Sequence, residues 1–459
     1  MMPYRLSRRT WIASATAVAA APYWFTASRA RASGSKNDRP VAAVIGTGGR
    51  GTSMAWHQFG RQADLAAICD VDLREAERAA AAIEAKIGVR PKIYQDYRKL
   101  LERNDIEVVG NATPDHWHTK INIDACRAGK DVYAEKPLTF TINEGKLLRN
   151  AVHETGRVLQ AGSQQRSGAQ FRTACELVRN GRIGRLRRVG VLLPFNSDCR
   201  GGPFSGEPVP NELDWDLWQG QAAERPFCKQ RLSFRRWHEY AAGMITDWGH
   251  HHFDIAHWGM AMDESGPLTV SAKGYLFNVG KPDCFNNVDV FAAHLKYPGD
   301  VDLWCITVRD RRFQESLASG YPTPEADAAI YADVPEEIKT EQRNGIMFLG
   351  DQGRIFVNRG GIYGTAAEEL KENPLPSNAE RLIVSNDHMG NLIDCIKTRT
   401  QPICNVDVAH RSVTPCHLVN ISMRLKREIT WDPIKEEIVG DDEANESLGR
   451  EQRAGYTFS

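Results

Sequence analysis

Val41-Ala-Ala-Val-Ile45, followed without a break by Gly46-Thr47-Gly48-Gly49-Arg50-Gly51, is the stretch that decides the fold. An apolar run with no polar alternation reads as a short strand buried on both faces, the habit of a parallel sheet. The glycines stand at its carboxyl end, where a helix running through Trp56 begins. Gly46 permits the tight turn, Gly48 lets the main chain come close to a pyrophosphate, and Gly51 lets helix and strand pack closely. The helix N-terminus adds unpaired N–H groups and a positive dipole end, both suited to phosphate. A second apolar strand, Leu65–Cys69, ends at Asp70, an acid placed to accept hydrogen bonds from ribose hydroxyls.

These features make Gly46, Gly48, Gly49, Arg50, Gly51 and Asp70 candidate contacts for a dinucleotide. The charge of Asp70 repels a 2′-phosphate, which favours NAD over NADP. Arg50 and Arg74 can counter that repulsion, so NADP stays open as the alternative.

Outward from this turn the strand–helix alternation continues. Leu73–Ala85 is rich in Ala and Glu and reads as a helix, as does Thr119–Ala128; Glu107–Asn111, Val132–Ala134 and Arg157–Ala161 read as further strands. Such alternation predicts an α/β fold, an N-terminal doubly wound Rossmann parallel sheet over 40–165. Past residue 170 the pattern changes. Arg187–Pro194, Val270–Phe277, Val290–Tyr297, Val301–Val308 and Ile346–Val357 alternate or carry β-branched runs, separated by turns such as Tyr297-Pro-Gly-Asp300 and Gly350-Asp-Gln-Gly353. They predict an α+β domain over 166–459 with a large, mainly antiparallel sheet. Arg311–Arg343 is polar and reads as a long loop, a lid or an oligomer contact. His388–Lys397 and Val406–Arg427 read as closing helices.

The 459 residues carry 58 basic and 58 acidic side chains, with 42% hydrophobic and 25% charged residues. That balance is of a chain with ample core for two domains. A formal net charge of zero excludes a nucleic-acid binder working through an overall positive field, and no nucleic-acid partner is expected. Ten cysteines are scattered without a CxxC pair; Cys395, Cys404, Cys416 and His417 have ligand chemistry but no recognised metal spacing, so no metal is assigned.

Ser7-Arg8-Arg9-Thr10-Trp11-Ile12 precedes an uncharged Ala/Ser/Thr-rich stretch to Ser28, and Ala30-Arg31-Ala32 offers a small-x-small cut. The adjacent arginines resemble a twin-arginine signal, with residues 1–32 the signal and 33–39 a polar linker. The expectation is a periplasmic or secreted protein exported folded, cofactor inside; the stretch is too weakly apolar for a stable membrane span.

Three further segments carry a resemblance. Asn111-Ala-Thr113-Pro114 with His118, then Ala134-Glu135-Lys136-Pro137, then Asp247-Trp-Gly249-His-His251-His-Phe-Asp254 occur in that order. They resemble the cofactor-side loop, the EKP signature and the D-x-G-x-H-x-x-D helix of the glucose–fructose oxidoreductase/inositol dehydrogenase (Gfo/Idh/MocA) family. The resemblance implies an oxidoreductase with cofactor contacts from Asn111, Thr113, Pro114, His118, Glu135 and Lys136. Trp215-Asp-Leu-Trp218-Gln-Gly220 and Trp431-Asp-Pro433 resemble a sugar-processing, often exported branch.

The chemistry also follows from the residues. Oxidising a secondary alcohol needs a hydride acceptor and a base for the hydroxyl proton at one carbon. Asp247, His251 and Asp254 at i, i+4 and i+7 share one helix face. His251 suits the base, Lys136 the stabiliser of alkoxide charge, and Asp247 the group that orients the base or binds a neighbouring hydroxyl. Adjacent His250, His251 and His252 point about 100° apart on a helix and do not share one ion easily. Dense aromatics between Trp215 and Trp258 can stack sugar faces or fill core. Arg235, Arg236, His238, Tyr240, His252 and Asp254 are candidate substrate contacts, although core roles suit His250 and His252 as well. The expected protein is an NAD(P)-dependent oxidoreductase acting on a sugar, polyol or glycoside hydroxyl, its cofactor tightly held and reoxidised in place. The alternative is an NAD-dependent, redox-neutral glycoside hydrolase that oxidises C3 transiently, eliminates and adds water. A small carbohydrate substrate and a homo-oligomer are the expected partners.

Overall fold

The computed structural model describes residues 39–195 and 199–458. The proposed signal, 1–32, and most of the linker lie outside the described residues. The described residues from Pro40 onward form one compact unit built on two sheets.

The first sheet has six parallel strands: β1 (Val41–Ile45), β2 (Asp64–Cys69), β3 (Lys92–Tyr94), β4 (Val108–Asn111), β5 (Asp131–Ala134) and β6 (Leu159–Ala161). Their order, β3-β2-β1-β4-β5-β6, reverses between β1 and β4, the switch point where α/β sheets open a crevice at the strands' carboxyl ends. The helices start on residues that satisfy their first N–H groups. Asp72 caps Leu73–Ile87 by accepting from the Arg74 amide, and Thr141 caps Ile142–Thr155 by accepting from that of Glu144. Gly88 and Gly156, both left-handed, end them. β3 was not expected from the sequence; its three residues are too few to show a period.

The second sheet has nine strands: β7 (Leu186–Leu193), β8 (Thr269–Gly274), β9 (Phe291–Tyr297), β10 (Val301–Thr307), β11 (Gly345–Gly350), β12 (Arg354–Asn358), β13 (Gly361–Tyr363), β14 (Ile429–Asp432) and β15 (Glu437–Ile438). Only β7 and β10 pair in parallel, so the sheet is mainly antiparallel, as expected. Alternation along β7 sends Val189, Val191 and Leu193 into a core shared with Phe171, Phe253 and Leu418 of three helices. Leu192 points the other way, towards Phe313, Ile330 and Ile338.

That second cluster corrects the reading of 311–343 as loop. The segment forms helices Arg311–Ala318, Pro324–Ile330 and Glu336–Lys339, the first two capped by Asp310 and Thr323, and they cover the sheet face. One apolar anchor per turn is enough to seat so short a helix, and it leaves the composition polar. Ile346–Val357 is the β11–β12 hairpin, reversing at the expected Gly350–Gly353 turn. The closing helices His388–Thr398 and Val406–Leu425 return to the first sheet: Met389 and Leu392 pack with Val44 and Ile68, and Val406 and Val413 with Val132 and Leu148.

Candidate active site

A cavity of about 1100 Å³ opens at the carboxyl ends of β1, β2, β4 and β5. It is slightly larger than the usual range of small-ligand pockets, roughly 300–1,000 Å³. Its floor is the glycine turn. Gly46 has φ +83°, and a Cβ there would lie 2.6 Å from the Thr113 nitrogen. At Gly51 a Cβ would meet the Gly46 carbonyl oxygen, so this glycine serves helix–strand contact and does not itself line the cavity. Gly48 and Gly49 have nothing within 4 Å of where a Cβ would stand, and no side chain caps the helix they open. An open cradle with uncapped helix N–H groups fits a dinucleotide's pyrophosphate.

Asp70 stands at the end of β2 on the cavity wall. One carboxylate oxygen accepts from the Thr47 amide (2.7 Å) and hydroxyl (3.0 Å), the other from the Asp72 amide (3.0 Å). Burial, outweighing these hydrogen bonds, pushes its pKa up. Asp70 therefore braces the glycine turn while facing the cavity. Arg74 is held by Asp72, at 2.9 Å and 2.6 Å, and Arg50 by Glu135, at 2.6 Å and 2.5 Å.

Asn111 is fully buried and does not line the cavity; it builds the loop that does. Its amide nitrogen donates to the His118 carbonyl and to Asn122, and its oxygen accepts from the Thr113 hydroxyl at 2.8 Å. Thr113, Pro114 and His118 reach the cavity wall. His118 links two loops, its ring nitrogens facing the Pro137 carbonyl at 2.6 Å and the Thr113 carbonyl at 2.9 Å.

Lys136 enters from the segment after β5. Its ammonium donates to the Asp247 carboxylate at 2.5 Å and to that residue's carbonyl at 2.9 Å. Arg235 donates to the same carboxylate oxygen at 2.9 Å. Burial would raise the pKa of Asp247, but Lys136 and then Arg235 outweigh it and hold the group at about 2. His251 lies on the same wall, 4% exposed, its Nδ1 buried without a partner. Burial, then the positive charge of Lys136, lowers its pKa well below 6.5, so the imidazole is neutral. The helical course expected from Asp247 to Asp254 is kept: Trp248, between helices Met244–Asp247 and Gly249–Met260, is itself right-handed helical (φ −97°, ψ −31°), donating to the Met244 carbonyl at 3.2 Å and accepting from the His252 amide at 3.3 Å. Asp247 and His251 face one space.

The other substrate candidates lie off the cavity wall. Asp254 is fully buried and pairs with Arg166 at 2.8 Å while accepting from Ser412, also at 2.8 Å. His252 faces Asn344 at 2.6 Å. Tyr240 sits in an aromatic cluster with Trp218 and His116, and Arg236 lies over the Phe285 ring. His238 borders a different, smaller cavity. Consecutive residues on a turn or helix point in different directions, so only one or two of such a run reach a given space. The wall instead includes Asp115, Arg235, Trp248 and Arg359. Asp115 is 2% exposed with one carboxyl oxygen unpartnered, and burial pushes its pKa up to about 6. Its place beside Pro114 in a cofactor-side loop was the available signal; Arg359, in the turn between β12 and β13, had none.

The fold and this arrangement define a dinucleotide-dependent enzyme class, and sequence comparison names it. Residues 41–163 match the model for the Gfo/Idh/MocA oxidoreductase family's NAD-binding Rossmann fold. Residues 202–279 and 341–458 match the model for its C-terminal alpha/beta domain. The chain belongs to the Gfo/Idh/MocA oxidoreductase family. Among curated relatives, an alpha-N-acetylgalactosaminidase of Shewanella oneidensis is 31% identical over 148 residues, 31% of this chain and 32% of the relative. A glycosyl hydrolase family 109 protein of Shewanella sp. (strain ANA-3) is 32% identical over a stretch of the same length, with the same shares. The match thus spans about a third of these relatives' length. Among solved structures, an aldose-aldose oxidoreductase from Caulobacter crescentus, complexed with glycerol, superimposes with TM-score 0.59 at 18% identity, over 85% of this chain and 99% of that one. The WlbA dehydrogenase from Bordetella pertussis, in complex with NADH and UDP-GlcNAcA, gives 0.55 at 18% identity, over 86% and 99%. At such identities they share the fold.

Proposed function

We propose that this protein is an exported NAD-dependent oxidoreductase acting on a hydroxyl of a sugar, polyol or glycoside, with its nucleotide retained and reoxidised in place. The observation that carries the reading is the meeting of Lys136, Asp247 and His251 in the cavity floored by the glycine turn. Bound NAD supplies a hydride acceptor for the carbinol carbon. Neutral His251 takes the hydroxyl proton and returns it in reduction. Lys136, aimed by both oxygens of Asp247 that it contacts, donates to the same hydroxyl oxygen and stabilises its developing charge. Arg235 shares the load on Asp247, keeping that carboxylate ionised beside the ammonium. The preference for NAD is supported by Asp70 on the wall and by the carboxylates that already engage Arg74 and Arg50, leaving neither committed to a 2′-phosphate.

A second reading is favoured by the relatives named alpha-N-acetylgalactosaminidase and glycosyl hydrolase family 109: redox-neutral hydrolysis, in which transient oxidation acidifies the neighbouring C–H, the aglycone leaves, water adds and the carbonyl is reduced again. Incubation of the purified protein with aryl glycosides and with free sugars separates the two. An oxidised sugar with a reduced partner supports the oxidoreductase, whereas aglycone release without net reduced nucleotide moves the assignment to the hydrolase. Neither product from any sugar or glycoside overturns both. Titration with both nucleotides tests the cofactor: tighter NADP binding reverses that choice.

Export through Arg8 and Arg9, and assembly into a homo-oligomer, complete the proposal. Cytoplasmic retention of an active Arg8→Lys/Arg9→Lys variant, and a solution mass above one chain, are the expected results; continued export assigns the general secretory route.

A further inference from the structure

Away from the cleft lies a second cavity of about 200 Å³, lined in part by Phe140, His238, Asn420, Arg424, Ser447 and Arg450. It falls below the roughly 300–1,000 Å³ of pockets for drug-sized ligands and is far too small for a dinucleotide. Two guanidiniums, two imidazoles, an amide and two hydroxyls face it, and no acidic side chain lies on its wall. Its donors outnumber what the protein gives them to hold.

Arg424, on the helix Val406–Leu425, donates through Nε to Asn420 at 3.0 Å and through one Nη to the Asn286 carbonyl at 3.5 Å. No carboxylate stands within ion-pair distance of it among the described residues. Burial lowers its pKa to about 10, with only the more distant Glu239 opposing. Arg450 spends Nε on Glu144 (2.9 Å) and one Nη on the His116 carbonyl (3.0 Å), while its other Nη is buried without an acceptor. The Nδ1 of His238 is likewise buried without a partner. Buried polar atoms in native proteins are almost always satisfied, so two orphans and an uncompensated guanidinium on one small cavity call for a ligand. Water can satisfy the donors but leaves the charge; an anion answers both.

We propose that this cavity is a binding site for a compact oxyanion, the chemistry shared by phosphate, sulfate and small carboxylates. Arg424 supplies the charge, the free Nη of Arg450 and the ring of His238 supply hydrogen bonds, and about 200 Å³ holds one such ion with a few waters at roughly 30 Å³ each. The four segments meeting here are the stretch after Glu135–Pro137, the loop carrying Arg235, the helix of Arg424 and the C-terminal residues. A bound anion would therefore fasten together parts of the chain that also hold the catalytic cleft, without entering it.

Calorimetric titration of the full protein with inorganic phosphate, sulfate and acetate, against chloride at matched ionic strength, tests this. The expected result is saturable millimolar binding of at least one oxyanion, with a thermal midpoint that rises with its concentration. Arg424→Met should weaken binding about tenfold or more, the scale of a lost charge-assisted hydrogen bond, and abolish that rise. Arg424→Lys keeps the charge and should retain part of the affinity; it also serves if the Met variant does not fold. Phosphate can also seat on the glycine turn, and equal affinity in wild type, Arg424→Met and Arg424→Lys would place binding there and overturn the site. Absence of saturable heat with all three anions in folded wild type would make this a water-filled cavity only.

Discussion

At the residue scale the proposed reaction turns on one imidazole held neutral and one ammonium held in place. His251 is buried and faces the charge of Lys136, and both disfavour its protonated form. The acidic limb of kcat/KM in the free enzyme should therefore fall well below pH 6.5; a limb at or above that value would remove His251 as the base. Replacing Lys136 or His251 by Ala should each lower kcat by about 100-fold or more while bound nucleotide stays, measured by turnover beside nucleotide content. Near-normal turnover in either variant takes that residue out of the mechanism. His251 was legible from its helical spacing to Asp247, and Lys136 from the resemblance of its segment to the family's EKP signature. Asp115 was not singled out, because a carboxyl raised to about 6 by burial looks, in a string of letters, like any other acid. Arg359 lies more than a hundred residues from its neighbour His251, and only folding brings them to one wall.

At the scale of the element, the segment 244–260 shows how far periodicity reaches. Helical spacing places Asp247, His251 and Asp254 along one side, and Trp248 between the two helices keeps a right-handed helical backbone. Spacing does not tell depth: Asp247 meets Lys136 at the cleft, whereas Asp254, two turns on, lies in the core, paired with Arg166, which is 2% exposed and also reaches Asp263 at 2.7 Å. Asp254 thus has a structural task. Asp254→Ala should lower unfolding stability by about 3 kcal/mol, the lower end for breaking a buried pair, since Asp263 still partners Arg166. Urea unfolding measures this, and a change of a few tenths would return Asp254 to the list of surface or substrate groups. Similar reasoning explains 311–343: short helices anchored by Phe313, Ile330 and Ile338 are polar enough to pass for loop until the sheet they cover is known.

At the scale of the whole molecule, the protein buries an unusual set of neutral histidines. Burial lowers the pKa of His116, His250 and His417 to about 3 and of His252, His257 and His388 to about 4. Unfolded, each titrates near 6.5, so below that pH the unfolded chain binds more protons and stability falls, each group contributing about 1.4 kcal/mol per pH unit. Asp115, raised to about 6, works the other way by a single proton. The thermal midpoint should drop steeply between pH 6.5 and about 4; a flat profile to pH 5 would show that these rings are protonated in the fold. What the sequence determined by itself was the strand–helix alternation of the first domain except β3, the glycine turn with Asp70, and the helical spacing of Asp247 and His251, because each depends on local spacing and on backbone needs that few residue types meet; Lys136 was legible only through its segment's resemblance to the family. Tertiary structure alone decided which of Arg235, Arg236, His238, Tyr240, His252 and Asp254 face the cleft, that Arg74 and Arg50 are already engaged by acids, and that a second, cationic cavity exists. Those outcomes depend on where distant segments meet and on how far burial strips water from a charge, and neither is written in any one stretch of the chain.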